Sequence, residues 1–358
     1  MRLRKLTHLR GACGPVALAV LAAVGAAAPA PARASTVLVV RPGETVQQTV
    51  DRAAPGDIVF VPAGVYRGSV DIRTDGVTLV GSGPATRFVP AAAAGTGACA
   101  AAGHGVCVTG TPGHPLAGVR LRSFSVSGFT KDGVMATWTD GLSVRGVVSR
   151  GNGEHGIRQD RSVRGVFRDN TAADNAETGI FLANTVTEEG GATDAEGAVV
   201  SGNRLSGNRV GITVRRLQDL VVERNAVIGN CAGIFVVGDE GIPRAGKLAV
   251  RSNRVWENNR YCPSTARLPV MQGAGIVLTG VEEVRVVGND VRDNRGASPL
   301  SGGIVLFPSF VGVASSRNTI GGNTATGNQP ADLADRDKGT DNVFDDNRCE
   351  VSQPAGRC

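Results

Sequence analysis

A histidine, an arginine and an aspartate flank one copy of a short Gly-aliphatic motif in the first half of the chain. His155 precedes Gly156-Ile157, and Arg158 and Asp160 follow at alternate positions, which point to the same side of a β-strand. His155 or Asp160 could act as base or acid in a proton transfer, while an arginine stabilises the charge that develops. We therefore predict that His155, Arg158 and Asp160 are the candidate catalytic residues.

Further charged residues occupy related positions in neighbouring copies of this motif. They are Asp132, Glu154, Glu177 and Arg215. If the copies stack, these side chains lie on the same side as His155, and Arg158 and Arg215 could hold the carboxylates of an anionic polysaccharide. We predict the four as substrate-binding residues. Two other interpretations stay open: glycan binding without chemistry, and a solvated face on which ion pairs join the stacked copies.

A repeat that spans most of the chain must position these residues. Its unit is an aliphatic residue, two residues, Asn, four residues and a second Asn, and a Gly-aliphatic pair usually follows. The shortest spacings between units are 22 and 23 residues. Phe124 and Phe129 hold the two Asn positions of an earlier unit, where they predict an aromatic stack. The Asn pairs are Asn170 and Asn175, Asn203 and Asn208, Asn225 and Asn230, Asn253 and Asn258, Asn289 and Asn294, and Asn323 and Asn328.

A repeat of this length predicts a solenoid, either of leucine-rich repeats or a parallel β-helix. The units lack the regularly placed leucines of the first class, and their short Val- and Ile-rich runs broken by Gly and Asn suit short strands with tight bends. Asn tolerates left-handed backbone, and an Asn at the same bend of each coil can form a hydrogen-bonded ladder. The sequence therefore predicts an all-β right-handed parallel β-helix.

A β-helix needs a cap at each end, because its core is otherwise open there. Thr45-x-x-Gln48 is a capping box for a short helix that ends at Pro55-Gly56. We predict an N-terminal cap over 35–60, coils over about 58–348 and a C-terminal closure over 329–358, all in one domain. Ile58–Val61 and Val77–Val80 are the first predicted strands, and Gly95–Gly113 is predicted to be a long loop.

The first 34 residues carry the features of an export signal. A basic start is followed by an apolar stretch and by Ala32-Arg33-Ala34, a cleavage site that makes 1–34 a signal peptide. The formal charge of the chain is +6, and five basic residues lie in this segment, so the rest is nearly neutral. We therefore expect a secreted, extracellular protein, a monomer without a membrane anchor and without nucleic acid as a partner.

Six cysteines remain outside the predicted export segment. In an oxidising compartment an even number favours disulfides, and sequence proximity suggests the pairs Cys99–Cys107, Cys231–Cys262 and Cys349–Cys358. The competing interpretation is a metal site formed by Cys99, His104 and Cys107. The spacing of the histidines by itself does not predict a metal site.

The segment Thr45–Tyr66, with Ala53-Ala54-Pro55-Gly56-Asp57 and Val61-Pro62-Ala63-Gly64-Val65-Tyr66, resembles the N-terminal segment of secreted right-handed β-helix proteins. The Asn and Gly-Ile repeats resemble those of the same pectin-lyase-like superfamily. This resemblance implies the fold and a polysaccharide or cell-surface glycan as partner. It does not select one activity, because the superfamily includes lyases, esterases, hydrolases and epimerases.

Two activities can be compared with residues of this chain. Polygalacturonases carry an Asp-Asp before a Gly-His-Gly, whereas Gly103-His104-Gly105 here precedes Asp345-Asp346, so we treat both matches as coincidence. The segment 155–162 resembles the Tyr-Gly-Ile-Asp-Pro-His-Asp-Arg-Ser motif of mannuronan epimerases, but it lacks the Asp-Pro-His core.

We therefore predict a protein that binds or processes an extracellular, acidic polysaccharide as a lyase, epimerase or hydrolase. The alternative is a non-catalytic extracellular solenoid. An enzyme should have an open groove, whereas a structural protein should have the same face covered by the loops at 184–198, 238–247 and 259–272. We expect Phe181 and Phe235 to lie under such loops. No cofactor is identified, and calcium could bind, as it does in pectate lyases.

Overall fold

The computed structural model describes residues 34–93, 95–185, 188, 190–266 and 268–358. The predicted export segment, apart from Ala34, lies outside these residues. Ser35–Cys358 forms one compact unit. Within the described part of the chain, no helix has both the length and the apolar character needed to span a bilayer.

Nearly all regular structure belongs to three long parallel sheets. Sheet A contains β1 Val37–Val39, β2 Ile58–Val61, β5 Thr78–Gly81, β9 Arg120–Arg122, β13 Ser143–Arg145, β16 Val166–Arg168, β19 Thr193–Ser201, β22 Leu217–Glu223, β25 Ala249–Arg251, β28 Arg285–Val287, β31 Thr319–Gly321 and β34 Val343–Asp345. Sheet B contains β3 Gly64–Arg67, β6 Thr86–Val89, β10 Ser125–Ser127, β14 Val148–Arg150, β17 Thr171–Ala173, β20 Arg204–Ser206, β23 Ala226–Ile228, β26 Arg254–Trp256, β29 Asp290–Arg292 and β32 Thr324–Thr326.

Sheet C carries the candidate catalytic residues. It contains β4 Val70–Ile72, β7 Val106–Thr109, β11 Val134–Thr137, β15 Ile157–Asp160, β18 Thr178–Ala183, β21 Val210–Arg215, β24 Ala232–Val237, β27 Ala274–Thr279, β30 Gly302–Phe307, β33 Leu333–Asp335 and β35 Ser352–Gln353. A small fourth sheet pairs β8 Leu116–Ala117 with β12 Thr139–Asp140. The helices are α1 Val46–Asp51, α2 Ala98–Ala101 and a 3₁₀ turn at Gly83–Ala85.

The chain visits sheets A, B and C in turn, and each strand pairs in parallel with the equivalent strand of the next coil. Residues alternate between the buried interior and the outside; Ile157 and Gln159 point inward on β15, for example. The interior holds mainly Val, Ile, Leu and Ala, with Phe88, Phe124 and Phe167 as large fully buried side chains. This is the predicted parallel β-helix.

Two buried asparagine ladders run along the coils, as the repeat predicts. The Nδ2 of each Asn donates to the Oδ1 of the next Asn at 2.9–3.0 Å, and its backbone N–H donates to the same oxygen. The second ladder ends where Asn328 donates to Asp332, whose other oxygen accepts the N–H groups of Glu350 and Val351. Each rung contributes about 1 kcal/mol net, because it satisfies buried polar groups at a tight bend.

The ends and the covalent links largely follow the sequence. Thr45 and Gln48 form the capping box at the start of α1. The three disulfides pair Cys99 with Cys107, Cys231 with Cys262 and Cys349 with Cys358, the pairs that proximity suggests. The metal alternative for Cys99, His104 and Cys107 is therefore wrong in this structure. The prediction of a loop over Gly95–Gly113 is also wrong, because α2 and β7 lie within it.

Candidate functional site

The outward side chains of sheet C stack in two columns that begin among charged residues. Met135, Arg158 and Phe181 are register partners on β11, β15 and β18. Thr137, Asp160, Ala183 and Arg215 form the second column. Because the strands are in register, the alternation predicted from the sequence places Arg158 and Asp160 on one face.

A third column lies just before the strands and contains His104, Asp132 and His155. They occupy the same position of three consecutive coils, since the N–H of Gly105 donates to the Asp132 carbonyl and that of Gly133 donates to the His155 carbonyl, both at 2.9 Å. The Asp132 carboxylate is fully buried. His155 Nδ1 lies 2.7 Å from its Oδ1, and His104 Nδ1 lies 3.2 Å from its Oδ2. A carboxylate is thus held between two imidazole rings.

The environment of Asp132 keeps it ionised. Burial by itself raises the pKa of its carboxyl. The hydrogen bonds and the charges of His104 and His155 lower the pKa by more than burial raises it, so the pKa lies well below its ordinary range. The backbone N–H of His155 also donates to Oδ1 at 3.0 Å. Asp132 is therefore a fixed negative charge that orients His155.

Arg158 lies among three carboxylates. Its Nη2 and Nε donate to Asp160 Oδ2 at 2.6 and 3.1 Å, and its Nη1 lies 3.7 Å from Asp132 Oδ2 and 4.0 Å from Glu154 Oε2. Burial lowers the pKa of the guanidinium, but the hydrogen bond and charge of Asp160 raise it more, so Arg158 stays charged. Asp160 Oδ1 is buried and has no hydrogen-bond partner within the described residues. We call His104, Asp132, His155, Arg158 and Asp160 the charged cluster.

The structure places the other predicted substrate-binding residues at the margin of this cluster. Glu154 forms an ion pair with Lys131 and lies beside Arg158. Glu177 pairs with Arg209 at 3.3 Å in the next coils. Arg215 lies two strands beyond Asp160 and donates to the Thr185 carbonyl at 3.0 Å. Glu154 therefore touches the charged cluster, whereas Glu177 and Arg215 contact other parts of the face.

The later strands of sheet C present apolar side chains to a loop. Phe235, Val277 and Val305 are outward residues, yet each is at most 2% exposed. They pack with Met271, and partly buried Cys262 and Leu268 lie against them. The Cys231–Cys262 disulfide and the N–H bonds that Cys262 and Met271 donate to each other's carbonyls hold this loop. We call Phe235, Val277 and Val305 the covered strip; Phe235 lies under a loop as expected.

Comparisons with known proteins agree with this architecture. A family model described as "Right handed beta helix region" matches residues 189–348. The chain is a right-handed parallel β-helix protein. Among curated protein sequences, none matches this β-helix protein.

Solved structures share the fold of this β-helix protein at low sequence identity. One is the A-module of a mannuronan C-5 epimerase from Azotobacter vinelandii, with 17% identity, a TM-score of 0.57 and coverage of 88% of this chain and 98% of that one. An alginate lyase from Paenibacillus sp. has 15% identity, a TM-score of 0.55 and coverage of 88% and 99%. A DFA-IIIase from Arthrobacter chlorophenolicus A6, in complex with DFA-III, has 16% identity, a TM-score of 0.62 and coverage of 89% and 84%. At these identities the likeness establishes the fold alone.

Sequence reasoning missed His104 as a member of the site. It treated Gly103-His104-Gly105 as coincidence, whereas the β-helix aligns His104-Gly105-Val106 with Asp132-Gly133-Val134 and His155-Gly156-Ile157. The Gly-aliphatic motif was therefore present one coil earlier. The insertion between Val89 and Val106 interrupts the repeat spacing, and the motif at His104 is therefore not apparent from the sequence.

The group formed by Asp132, Glu154 and His155 does not suit calcium. Ligand atoms of Asp132, Glu154 and His155 lie within 4.8 Å of one another. Calcium takes six to eight oxygen ligands, whereas this group supplies an imidazole nitrogen already hydrogen-bonded to Asp132. The guanidinium of Arg158 and the ammonium of Lys131 also lie against the two carboxylates. Any proton transfer at this place is therefore assigned to side chains of this chain.

Proposed function

We propose that this β-helix protein binds and processes an acidic polysaccharide at the charged cluster, with His155 as the proton-transferring residue. The observation that carries the proposal is the 2.7 Å contact between His155 Nδ1 and the fully buried Asp132 carboxylate. A buried carboxylate on one ring nitrogen fixes the tautomer and leaves the other nitrogen to accept a proton. This is the arrangement that a general base needs.

The proton balance follows from this arrangement. With the Nδ1–H directed to Asp132, the neutral ring of His155 carries its lone pair on Nε2, which accepts the proton next to the uronate carboxylate. The resulting imidazolium is stabilised by the charge of Asp132 and can return the proton to the sugar or to a leaving oxygen. A proton delivered by water to the other face of the carbanion gives an epimer, and the imidazolium then loses its proton to solvent. Loss of the leaving oxygen, which takes the proton from His155, gives an unsaturated end.

Arg158 supplies the contact to the sugar in this proposal. Among the described residues, Arg158 is the only cation that lies within 4.0 Å of all three carboxylates, those of Asp132, Glu154 and Asp160. A substrate carboxylate would share the guanidinium of Arg158 with Asp160, and this guanidinium would stabilise the negative charge that develops next to that carboxylate. Asp160 would hold that guanidinium in place through the hydrogen bonds that its Oδ2 accepts from Nη2 and Nε of Arg158.

Two solved structures with this fold support the choice of substrate class. One is that of an epimerase of mannuronan and the other that of a lyase of alginate. The three disulfides support export, which we propose together with the monomeric state that the sequence predicts. Size-exclusion chromatography with light scattering tests the monomer, and amino-terminal sequencing of exported protein tests cleavage after Ala34.

A panel of uronate polysaccharides, incubated with the purified protein with and without calcium, tests the function. Unsaturated ends, new reducing ends and a changed epimer content each identify one reaction. We expect turnover by the wild-type protein, loss of it in His155→Gln, and no change in His114→Gln, a control at an exposed histidine. Turnover that survives in His155→Gln would overturn the assignment of His155.

The second candidate is glycan binding without chemistry on an extracellular solenoid. Two observations favour it: the charge of Arg158 is already balanced by carboxylates of the protein, and the covered strip closes part of the face. A cavity of about 910 Å³ lies between α1 and residues 95–100 rather than over the charged cluster. Binding to the same panel without any product, lost in Arg158→Gln, would support this candidate.

A further inference from the structure

The third column of sheet C raises the question of what His104 does. Its ring lies on the opposite side of Asp132 from His155, so one carboxylate contacts both rings. The side chain of His104 is 15% exposed and that of His155 is 12% exposed. His155 is the ring to which the proposed function assigns the proton transfer, and His104 has no part in that function.

We infer that His104 is a positioning residue for His155 and acts through the Asp132 carboxylate. The inference rests on the proposed function for its effect on turnover, but the geometry itself is independent of any substrate. Asp132 Oδ1 is occupied by the backbone N–H and ring of His155. The other oxygen, Oδ2, is buried and faces His104 Nδ1 at 3.2 Å.

The His104 ring can hold Asp132 in two ways. Neutral His104 accepts the backbone N–H of Asp132 on Nδ1 at 3.2 Å, which fixes the residue that carries the carboxylate. Protonated His104 instead directs its Nδ1–H to Oδ2, which otherwise accepts no hydrogen bond within the described residues. In both states the ring limits rotation of the carboxylate, so Oδ1 stays aimed at His155.

The backbone around His104 is built to hold its ring at this place. The N–H of His104 donates to the Cys99 carbonyl at 3.1 Å, and Ser69 Oγ donates to the His104 carbonyl at 2.6 Å. Gly103 has a φ of 83°, and a Cβ there would lie 2.3 Å from Thr130 Oγ1. The Cys99–Cys107 disulfide ties the segment to β7.

If the His104 ring is removed, the nearby charged groups determine which new partner the Asp132 carboxylate can take. Arg158 Nη1 lies 3.7 Å from Oδ2, and Glu154 and Lys131 pair with each other beside it. Arg158 is itself bound to Asp160 at 2.6 Å. In the absence of the His104 ring, the Asp132 carboxylate is therefore free to turn toward Arg158 and to release His155.

Nitrogen-detected NMR of the histidine rings tests the inference without a substrate. In the wild-type protein we expect neutral His155 to carry its proton on Nδ1 and not on Nε2. In His104→Ala we expect a mixture of the two tautomers of His155. His104→Asn, whose amide can take the place of Nδ1, should restore much of the wild-type tautomer, and His114→Gln should leave it unchanged. A His155 tautomer that is the same in His104→Ala as in wild type would overturn the inference.

Kinetics on any substrate found then separates the two proposals. We expect kcat to fall about tenfold in His104→Ala with KM nearly unchanged, because general-base catalysis depends on the tautomer and binding does not. A changed tautomer in a protein without turnover on any glycan contradicts the proposed function and supports the positioning role. Equal melting temperatures of the variants exclude loss of fold as the cause, and His104→Phe, which keeps a ring but has no polar atom, serves where His104→Ala unfolds.

Discussion

The charged cluster and the covered strip lie on the same outer face of sheet C and have the same backbone register. Arg158 and Phe235 even belong to one column, in which Phe181 and Thr213 are the intervening partners. Around Phe235 the outward residues are apolar and a disulfide-bonded loop buries them. Around Arg158 the side chains are charged and form ion pairs with one another. The backbone positions in the two regions are therefore equivalent. The polarity of the outward side chains determines whether a loop packs over them.

The physical reason lies in the cost of removing each kind of side chain from water. Covering Phe235, Val277 and Val305 gains about 25 cal/mol for each Å² of apolar surface buried. Covering Arg158 and Asp160 with the same apolar loop would desolvate charges without new partners. Phe181 marks the boundary, since it is 8% exposed and its ring lies 4.6 Å from that of His155.

The largest effect on stability is expected in the covered strip. Phe235→Ala should lower the free energy of unfolding by about 3–5 kcal/mol, because it leaves a cavity under the loop. Turnover or glycan binding should not change. Phe181→Ala, in the same column, should cost less stability but weaken function, since Phe181 contacts His155. Chemical denaturation and the polysaccharide assay check both; equal effects on function would remove the distinction between the two regions.

Removal of the central charge of the cluster should have the next largest effect. Arg158→Gln leaves Asp132 and Asp160 without their shared cation and should cost about 3 kcal/mol, as for other largely buried ion pairs that lose one partner. The double variant Arg158→Gln with Asp160→Asn should recover part of this loss. Denaturation of the single and double variants measures the coupling. An unchanged stability in Arg158→Gln would mean that the cluster is a screened surface network.

The disulfide of the covering loop, Cys231–Cys262, should stabilise the fold more than the C-terminal disulfide does. Its sequence separation is 31, against 9 for Cys349–Cys358. Since the loss of chain entropy grows with loop length, replacing Cys231 and Cys262 by Ser should cost about 1 kcal/mol more than replacing the C-terminal pair. Thermal unfolding compares the two variants. Hydrogen exchange of the Met271 amide should accelerate only in the first; protection of that amide in both would argue that apolar packing alone holds the loop.

The smallest expected change in the free energy of unfolding is the one caused by lowering the pH. The pKa of Asp132 is lower in the folded protein than in the unfolded chain, so the stability it contributes is present above the unfolded pKa of about 3.9 and is lost as the pH falls below it. We expect the difference in unfolding free energy between wild type and Asp132→Asn to shrink by about 1 kcal/mol per pH unit below pH 4. Denaturation of both proteins at about pH 6, 4 and 3 measures how this difference changes with pH. A difference independent of pH would contradict an ionised Asp132.

Local rules were enough to predict the repeating parts of the molecule. The Asn spacing predicts ladders that the structure contains, and Thr45 with Gln48 predicts the cap of α1. The alternation after Gly156-Ile157 predicts that Arg158 and Asp160 share a face. These features depend on neighbours in the same coil or at a fixed spacing, which the sequence shows directly.

The partners of the site residues could not be predicted in the same way. His104 was missed because an insertion separates its coil from the regular repeat. Arg215 was placed on the correct column, yet its guanidinium donates to the Thr185 carbonyl of an inserted loop. The path of an insertion depends on the surfaces it can cover, and no spacing in the sequence records that path.

By itself the sequence determined a parallel β-helix, its inward and outward residues, its Asn ladders and the pairing of its cysteines. The first three follow from a short period that repeats from coil to coil, and the cysteine pairs follow from their proximity in the sequence. Only the tertiary structure decided that His104 and His155 share one buried carboxylate, that Arg158 lies among three acids, and that a loop closes the apolar part of the same face. Those contacts join residues from different coils and insertions, and their geometry arises only when the coils stack at the strand spacing of about 4.8 Å.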